Sequence, residues 1–140
     1  MNNTRFSVAV HVLSVLCVSD GEPVTSSVLA ASVGTNPVVI RKLLVMLSKA
    51  SLVSVDRGKA GGARLARPAS EISLADVLDA VVTSNEMTKM HSHPNPACPV
   101  GKSIASVLDA IFSDGFEAYR SVMKQHSIAS LAVSISKQGG

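Results

Sequence analysis

The chain has no tryptophan, and its 140 residues include only three phenylalanines and one tyrosine. A core must therefore be built from valine, leucine, isoleucine and alanine. With hydrophobic residues at 46%, there is enough apolar side chain for one packed domain, and wholesale disorder is excluded. So few rings also argue against a surface that stacks unpaired bases, as single-strand and RNA readers do. Cysteine is nearly absent too. Cys17 and Cys98 make no disulfide framework and their spacing fits no zinc motif, so a reducing, cytoplasmic setting is expected. No apolar run approaches the length of a membrane span. The apolar stretch from Phe6 to Val18 is interrupted by Ser7, His11 and Ser14, and no small-x-small cleavage site follows it, which argues against a secretion signal. There is no nucleophile–base arrangement and no metal-ligand motif. The glycines at 58–62 lack the downstream Lys-Ser/Thr of a phosphate-binding P-loop. An enzyme is not expected.

What is present is unevenly placed charge. The net charge is +3, yet residues 37–68 hold seven cations (Arg41, Lys42, Lys49, Arg57, Lys59, Arg64 and Arg67) against the single acid Asp56, a local net of +6. The rest of the chain carries six cations and nine acids, a net of −3. A concentrated positive region on an otherwise acidic chain is the footprint of a face that binds a polyanion. Its densest part, Asp56 to Pro68, packs four cations and three glycines, with short strand-like pieces at Leu52–Val55 and Ala63–Ala66. This reads as a basic β-hairpin with a glycine-rich tip, suited to a narrow nucleic-acid groove.

Periodicity places helices around the hairpin. Phe6, Ala9, Val10, Leu13, Leu16 and Cys17 share one face of a first helix over about Thr4–Ser19, which Asp20-Gly21-Glu22-Pro23 breaks. Thr25 is a good N-cap for a short second helix carrying Val28, Leu29 and Val33, and Gly34 ends it. Asn36-Pro37 opens a third helix to about Ala50; the short, glycine-containing link between the two is a helix-turn-helix signature. Ile40, Leu43, Leu44 and Leu47 form the buried face of that third helix. Val38, Lys42, Val45 and Lys49 project on the other side with Arg41 on the shoulder, an apolar and cationic stripe without an acid, suited to phosphates and thymine methyls. Ser73 with Asp76 makes a capping-box start for a fourth helix bearing Leu74, Val77, Leu78, Val81 and Val82. Residues 83–99 read as a loop. A long helix from about Pro99 to Met123 has an apolar arc too broad for one neighbour, with Ile104, Leu108, Ile111, Phe112, Phe116 and Tyr119 as candidate dimer contacts; burial within a single core is the alternative. Ser127 is placed to cap a last helix, and Lys137 to Gly140 are expected to fray. The expected fold is mostly α with a small β-hairpin: a winged helix-turn-helix over 1–82, a loop over 83–99, and a dimerisation helix plus C-terminal helix over 100–140.

The order of these elements, with Glu22-Pro23-Val24-Thr25, the third-helix end Met46 to Val53, the glycine hairpin Arg57 to Pro68 and the segment Ile72 to Val81, resembles the Rrf-two family of bacterial winged-helix transcription regulators, the group of IscR, NsrR and CymR. The resemblance implies a homodimer that binds palindromic operator DNA, with the third helix in the major groove and the wing in the minor groove. It implies Asn36, Val38, Val39 and Lys42 as base readers, with Arg41 near phosphates. Wing contacts fall on Arg57, Gly58, Lys59 and Gly61, and Thr25, Ser26 and Ser27 are placed for phosphate through hydroxyls and free N–H groups. Val39 has a structural alternative, packing on the second helix, and Arg64 and Arg67 have another, simple solvation of the hairpin.

The chain departs from cluster-carrying members, which place three cysteines before the long helix. Residues 83–99 offer only Cys98, and His91 with His93 do not replace the missing thiolates, so no iron–sulfur cluster and no metal is expected. The pattern looks like the cluster-free, YwnA-type branch. Cys98, just before Pro99 at a helix N-terminus, is a candidate redox sensor. Three other readings stay open: a non-specific architectural DNA-binding protein, a regulator that takes a small-molecule effector, and a protein-interaction module.

Overall fold

The computed structural model describes residues 4–58, 61–83, 86 and 91–139. Helices α1 (Thr4–Val18), α2 (Ser26–Val33) and α3 (Pro37–Lys49) lead into a two-stranded antiparallel hairpin, β1 (Val53–Asp56) and β2 (Gly62–Leu65). A 3-10 turn (Ala69–Glu71), α4 (Leu74–Val81), α5 (Pro99–Lys124) and α6 (Ile128–Gly139) follow. Helix α6 runs through Lys137, where fraying was expected. It has no internal proline, and its first turn is pinned by reciprocal bonds in which the Ser130 amide donates to Ser127 Oγ and the Ser127 amide to Ser130 Oγ, both at 3.0 Å.

Local chemistry sets each helix start. The Val28 amide donates to Thr25 Oγ1 at 3.2 Å and the Val39 amide to Asn36 Oδ1 at 3.1 Å, so both expected caps form. At α4 the capping box closes both ways, Asp76 N–H to Ser73 Oγ and Ser73 N–H to Asp76 Oδ2, each at 3.0 Å. Gly34 ends α2 at φ 87°, its amide bonded to the Ala30 carbonyl at 2.9 Å.

The core gathers Leu13, Leu29, Ile40, Leu47, Leu52, Ile72, Leu78 and Ile128, all essentially inaccessible to solvent. Helix α1 is its axle and meets α2, α3, α4, β2 and α6. It therefore buries a wider arc than one stripe. Val12 and Ser14 are buried beside Ala9, Leu13 and Leu16, whereas Phe6, Val10 and Cys17 are only half-buried. The Ser14 hydroxyl satisfies itself on the Val10 carbonyl at 2.8 Å.

The hairpin pairs Val53 with Leu65, Ser54 with Arg64, Val55 with Ala63 and Asp56 with Gly62. Its second strand is fastened on the other edge as well. Val24 N–H donates to the Ala63 carbonyl at 2.9 Å and Ala63 N–H to the Val24 carbonyl at 2.8 Å. The approach is so close that a Cβ on Gly62, which sits at φ 155°, would lie 2.8 Å from the Val24 carbonyl carbon. Gly62→Ala is accordingly expected to cost about 1–3 kcal/mol of stability, a fall of roughly 3–10 °C in melting temperature by circular dichroism. An unchanged melting temperature would show that the wing is not held in this way.

Helix α5 is fixed at its C-terminal end. Arg120 forks onto the Asp79 carboxylate with contacts of 2.9 and 2.6 Å, and Leu74 N–H donates to the His126 carbonyl at 2.8 Å. None of its 26 residues is fully buried. Its principal neighbour among the described elements is α4, eight residues long. At 1.5 Å per residue, about 12 Å of α4 cannot cover about 39 Å of α5.

Candidate nucleic-acid interface

Helix α3 shows why its sequence has two characters. Ile40, Leu43, Leu44 and Leu47 are buried, and Arg41, Lys42, Val45 and Lys49 face outward, with Val38 and Val45 each 53% exposed. A groove of about 470 Å³ runs between this helix and the hairpin, lined by Ser26, Arg41, Leu44, Val45, Ser48, Lys49, Val55 and Arg57. A smaller cleft continues it toward the wing, lined by Thr25, Ser26, Val55, Asp56, Gly58, Gly61 and Gly62 among others. The cationic ridge and the glycine finger therefore stand side by side, with the start of α2 between them. The first amides of α2 have no partner within the helix by its geometry, and among the described residues only that of Val28 is taken by a side-chain cap.

The other predicted residues are not all brought to this groove. Asn36 caps the start of α3, and Ser27 is exposed in the first turn of α2. Lys42 and Val39 lie on the opposite shoulder of α3, over a recess shared with Thr4, Arg5 and Val8 of α1. Val39, 42% exposed, thus borders α1 in that recess. Lys59 lies outside the described residues. Gly58 takes φ 108°, a conformation that suits glycine at the turn. Val45 and Lys49, read from the sequence as part of the outward stripe, line the groove, and Ser48 and Val55 line it without having been singled out. The signal for Val55 was in the pattern, since it precedes Arg57 at strand spacing.

Charge is redistributed by folding. Arg64 is paired with Asp56 across the hairpin, and Arg67 lies 3.7 Å from the capping carboxylate of Asp76. Two of the seven cations counted along the sequence are thereby engaged within the chain. Arg41, Lys42, Lys49 and Arg57 have no ion-pair partner among the described residues. The groove holds valine methyls and no aromatic ring, a surface for paired bases and phosphates rather than for stacking.

At the far end, Cys98 is exposed and occupies the N-cap of α5. The backbone amides of Gly101 and Val100 hold its thiol below the ordinary value by favouring the thiolate. His91 and His93 are exposed nearby. Along α5, Ile104, Leu108, Phe112 and Phe116 are half-buried and Ile111 is 57% exposed. Two of the candidate dimer contacts also serve their own chain: Phe116 packs against the core, and the Tyr119 ring meets Phe6 edge-on at 6.4 Å.

Comparison with known proteins agrees with this architecture. Residues 2–134 match the Rrf2 family model, described as an iron-dependent transcriptional regulator. YwnA of Bacillus subtilis (strain 168), named as an HTH-type transcriptional regulator, is 38% identical over 91% of this chain and 94% of its own. A crystal structure of a protein described as DNA-binding is 33% identical, with a TM-score of 0.72 over 91% of this chain and 97% of that one. IscR of T. potens, 20% identical, shares the fold with a TM-score of 0.70 over 96% of this chain and 88% of its own. The iron in the family description does not fit the donors here. The segment between α4 and α5 contains one thiol, Cys17 lies within α1 against the core, and no three His, Cys, Asp or Glu side chains converge among the described residues. No described helix by itself is long and apolar enough to cross a membrane. By sequence, by wing and by helix order, the chain belongs to the Rrf2 family of DNA-binding transcriptional regulators.

Proposed function

We propose that this protein is a homodimeric repressor that recognises palindromic operator DNA in sequence-specific fashion and works without an iron–sulfur cluster. The observation that carries the reading is the groove in which Arg41, Lys49 and Arg57 stand around Val45, Val55 and the start of α2. Cations alone would bind any duplex; methyl groups set among them give base edges something to distinguish. The base readers are assigned to Asn36, Val38, Val39 and Lys42, with phosphates on Arg41 and the first turn of α2, and the wing contacts on Arg57, Gly58, Lys59 and Gly61. The uncovered length of α5 supports a second copy packed along Ile104, Leu108, Ile111 and Phe112. A two-fold dimer then presents two α3 helices to the two halves of a palindrome. Bound across a promoter, such a dimer blocks polymerase. The single thiol before α5 supports cluster-free operation.

The test is selection of bound duplexes from a random library, followed by titration of selected and random DNA at one salt concentration. An affinity ratio of about 10³ or more is expected. A ratio near one would make the protein a non-specific architectural binder.

The regulatory input we assign to Cys98. Its exposure and the N–H groups that favour its thiolate make it reactive toward peroxide, which converts the thiolate to a sulfenic acid and releases hydroxide. Because the thiol is held below its ordinary value, the thiolate persists at lower pH, and alkylation with iodoacetamide should reach its half-maximal rate below the pH usual for a free cysteine. Peroxide is expected to change operator affinity in the wild type and not in Cys98→Ser, and dithiothreitol to reverse the change. An equal response in the variant would remove Cys98 from this role.

A further inference from the structure

Asp56 is the one acid among the seven cations of residues 37–68. Asp56 ends β1, directly before Arg57 and Gly58 at the base of the wing. A carboxylate there repels the phosphates that the surrounding cations attract. The hairpin register supplies its answer. Arg64 stands opposite Ser54 and Asp56 opposite Gly62, so Asp56 and Arg64 are diagonal neighbours on one face of the ladder. The Arg64 guanidinium is bonded to the Asp56 carboxylate. Arg64 Nε is shielded from solvent and has no hydrogen-bond partner among the described residues, while the side chain as a whole stays 42% exposed, so the ion pair is what holds the guanidinium over Asp56.

We propose that Asp56 limits the affinity of the wing for duplex DNA by holding Arg64 in an internal pair, so that Arg64 neutralises Asp56 and makes no phosphate contact of its own. The inference rests on the DNA-binding reading above. Its physical content is a count of phosphates neutralised. The pair contributes none, and removing the carboxylate releases a cation that any duplex backbone can take up.

The slope of log affinity against log salt reads that count directly, at about 0.9 per phosphate on B-form DNA. The probe is a duplex selected by the wild type, titrated with wild type, Asp56→Asn, Arg64→Gln and the double variant, each checked by thermal melting. Asp56→Asn is expected to steepen the slope by about 0.9 and to tighten binding about fivefold at 0.15 M salt. The double variant should return to the wild-type slope and affinity. Arg64→Gln alone leaves a bare carboxylate and should bind more weakly. If Arg64 already touches a phosphate, Asp56→Asn leaves the slope unchanged and the double variant is about 0.9 shallower than the wild type, which overturns the proposal. A wild type that binds no duplex fails at the earlier step and overturns the DNA-binding reading itself, so the two failures are told apart.

Discussion

Lys42→Glu is expected to lower affinity for a selected operator duplex by about 10²-fold or more, with the fold and the dimer intact. Lys42 is exposed on the outer side of α3, one turn from Val38, and it has no ion-pair partner among the described residues. Nothing in the core depends on it, because α3 is held by Ile40, Leu43, Leu44 and Leu47. The reversal removes a favourable contact and sets an anion against the phosphates, about 3 kcal/mol together, which corresponds to two decades in Kd. A fluorescence-anisotropy titration measures the loss, and the melting temperature and gel-filtration volume should match the wild type. Lys137→Glu is the control, an equal change of charge on exposed α6, far along the chain from the groove; it should bind as the wild type does. If Lys42→Glu binds normally, α3 does not face DNA.

Replacing Val107 and Ile111 together with lysine is expected to give a folded monomer. Both lie on α5 one turn apart, 59% and 57% exposed, so the substitutions open no cavity within the chain. In a two-fold dimer built on this helix they would place four unpaired cations in an apolar seam, a cost that exceeds the stability of an ordinary dimer at micromolar concentration. Sedimentation equilibrium should report half the wild-type mass, with an unchanged far-ultraviolet circular dichroism spectrum. Operator affinity should fall by about 10²–10⁴-fold, because two linked half-site contacts become two independent ones. A variant that stays dimeric would place the partner on another surface, and the exposed Val18, Val133 and Ile135 of α1 and α6 would then be the first to examine.

Most of the regular structure was legible from short-range chemistry. The caps at Thr25, Asn36 and Ser73, the αL stop at Gly34 and the buried stripe of α3 each depend on residues within about a turn of one another, and each formed as read. The winged-helix order and the family followed from those pieces. Helix α1 was less legible. A single helical stripe presumes one neighbour, whereas α1 has neighbours on several sides, and so Val12 and Ser14 are buried while Phe6 and Cys17 are only half-covered. The C-terminal residues were read as free ends, yet the packing of α6 on α1 keeps them helical.

The basic region marks the same boundary between local and distant effects. Seven cations in one stretch announce a polyanion partner, because charge and composition are properties of the chain whatever its shape. Which of those cations remain available is a property of the fold. Arg64 meets Asp56 because the hairpin register sets them diagonally, and Arg67 approaches Asp76 because the 3-10 turn Ala69–Glu71 carries the chain from Arg67 straight into α4. Spacing along a helix or strand is dictated by bond geometry and can be read in advance. Pairing between segments depends on how separate elements pack, and that placed the groove between α3 and the hairpin and left most of α5 uncovered.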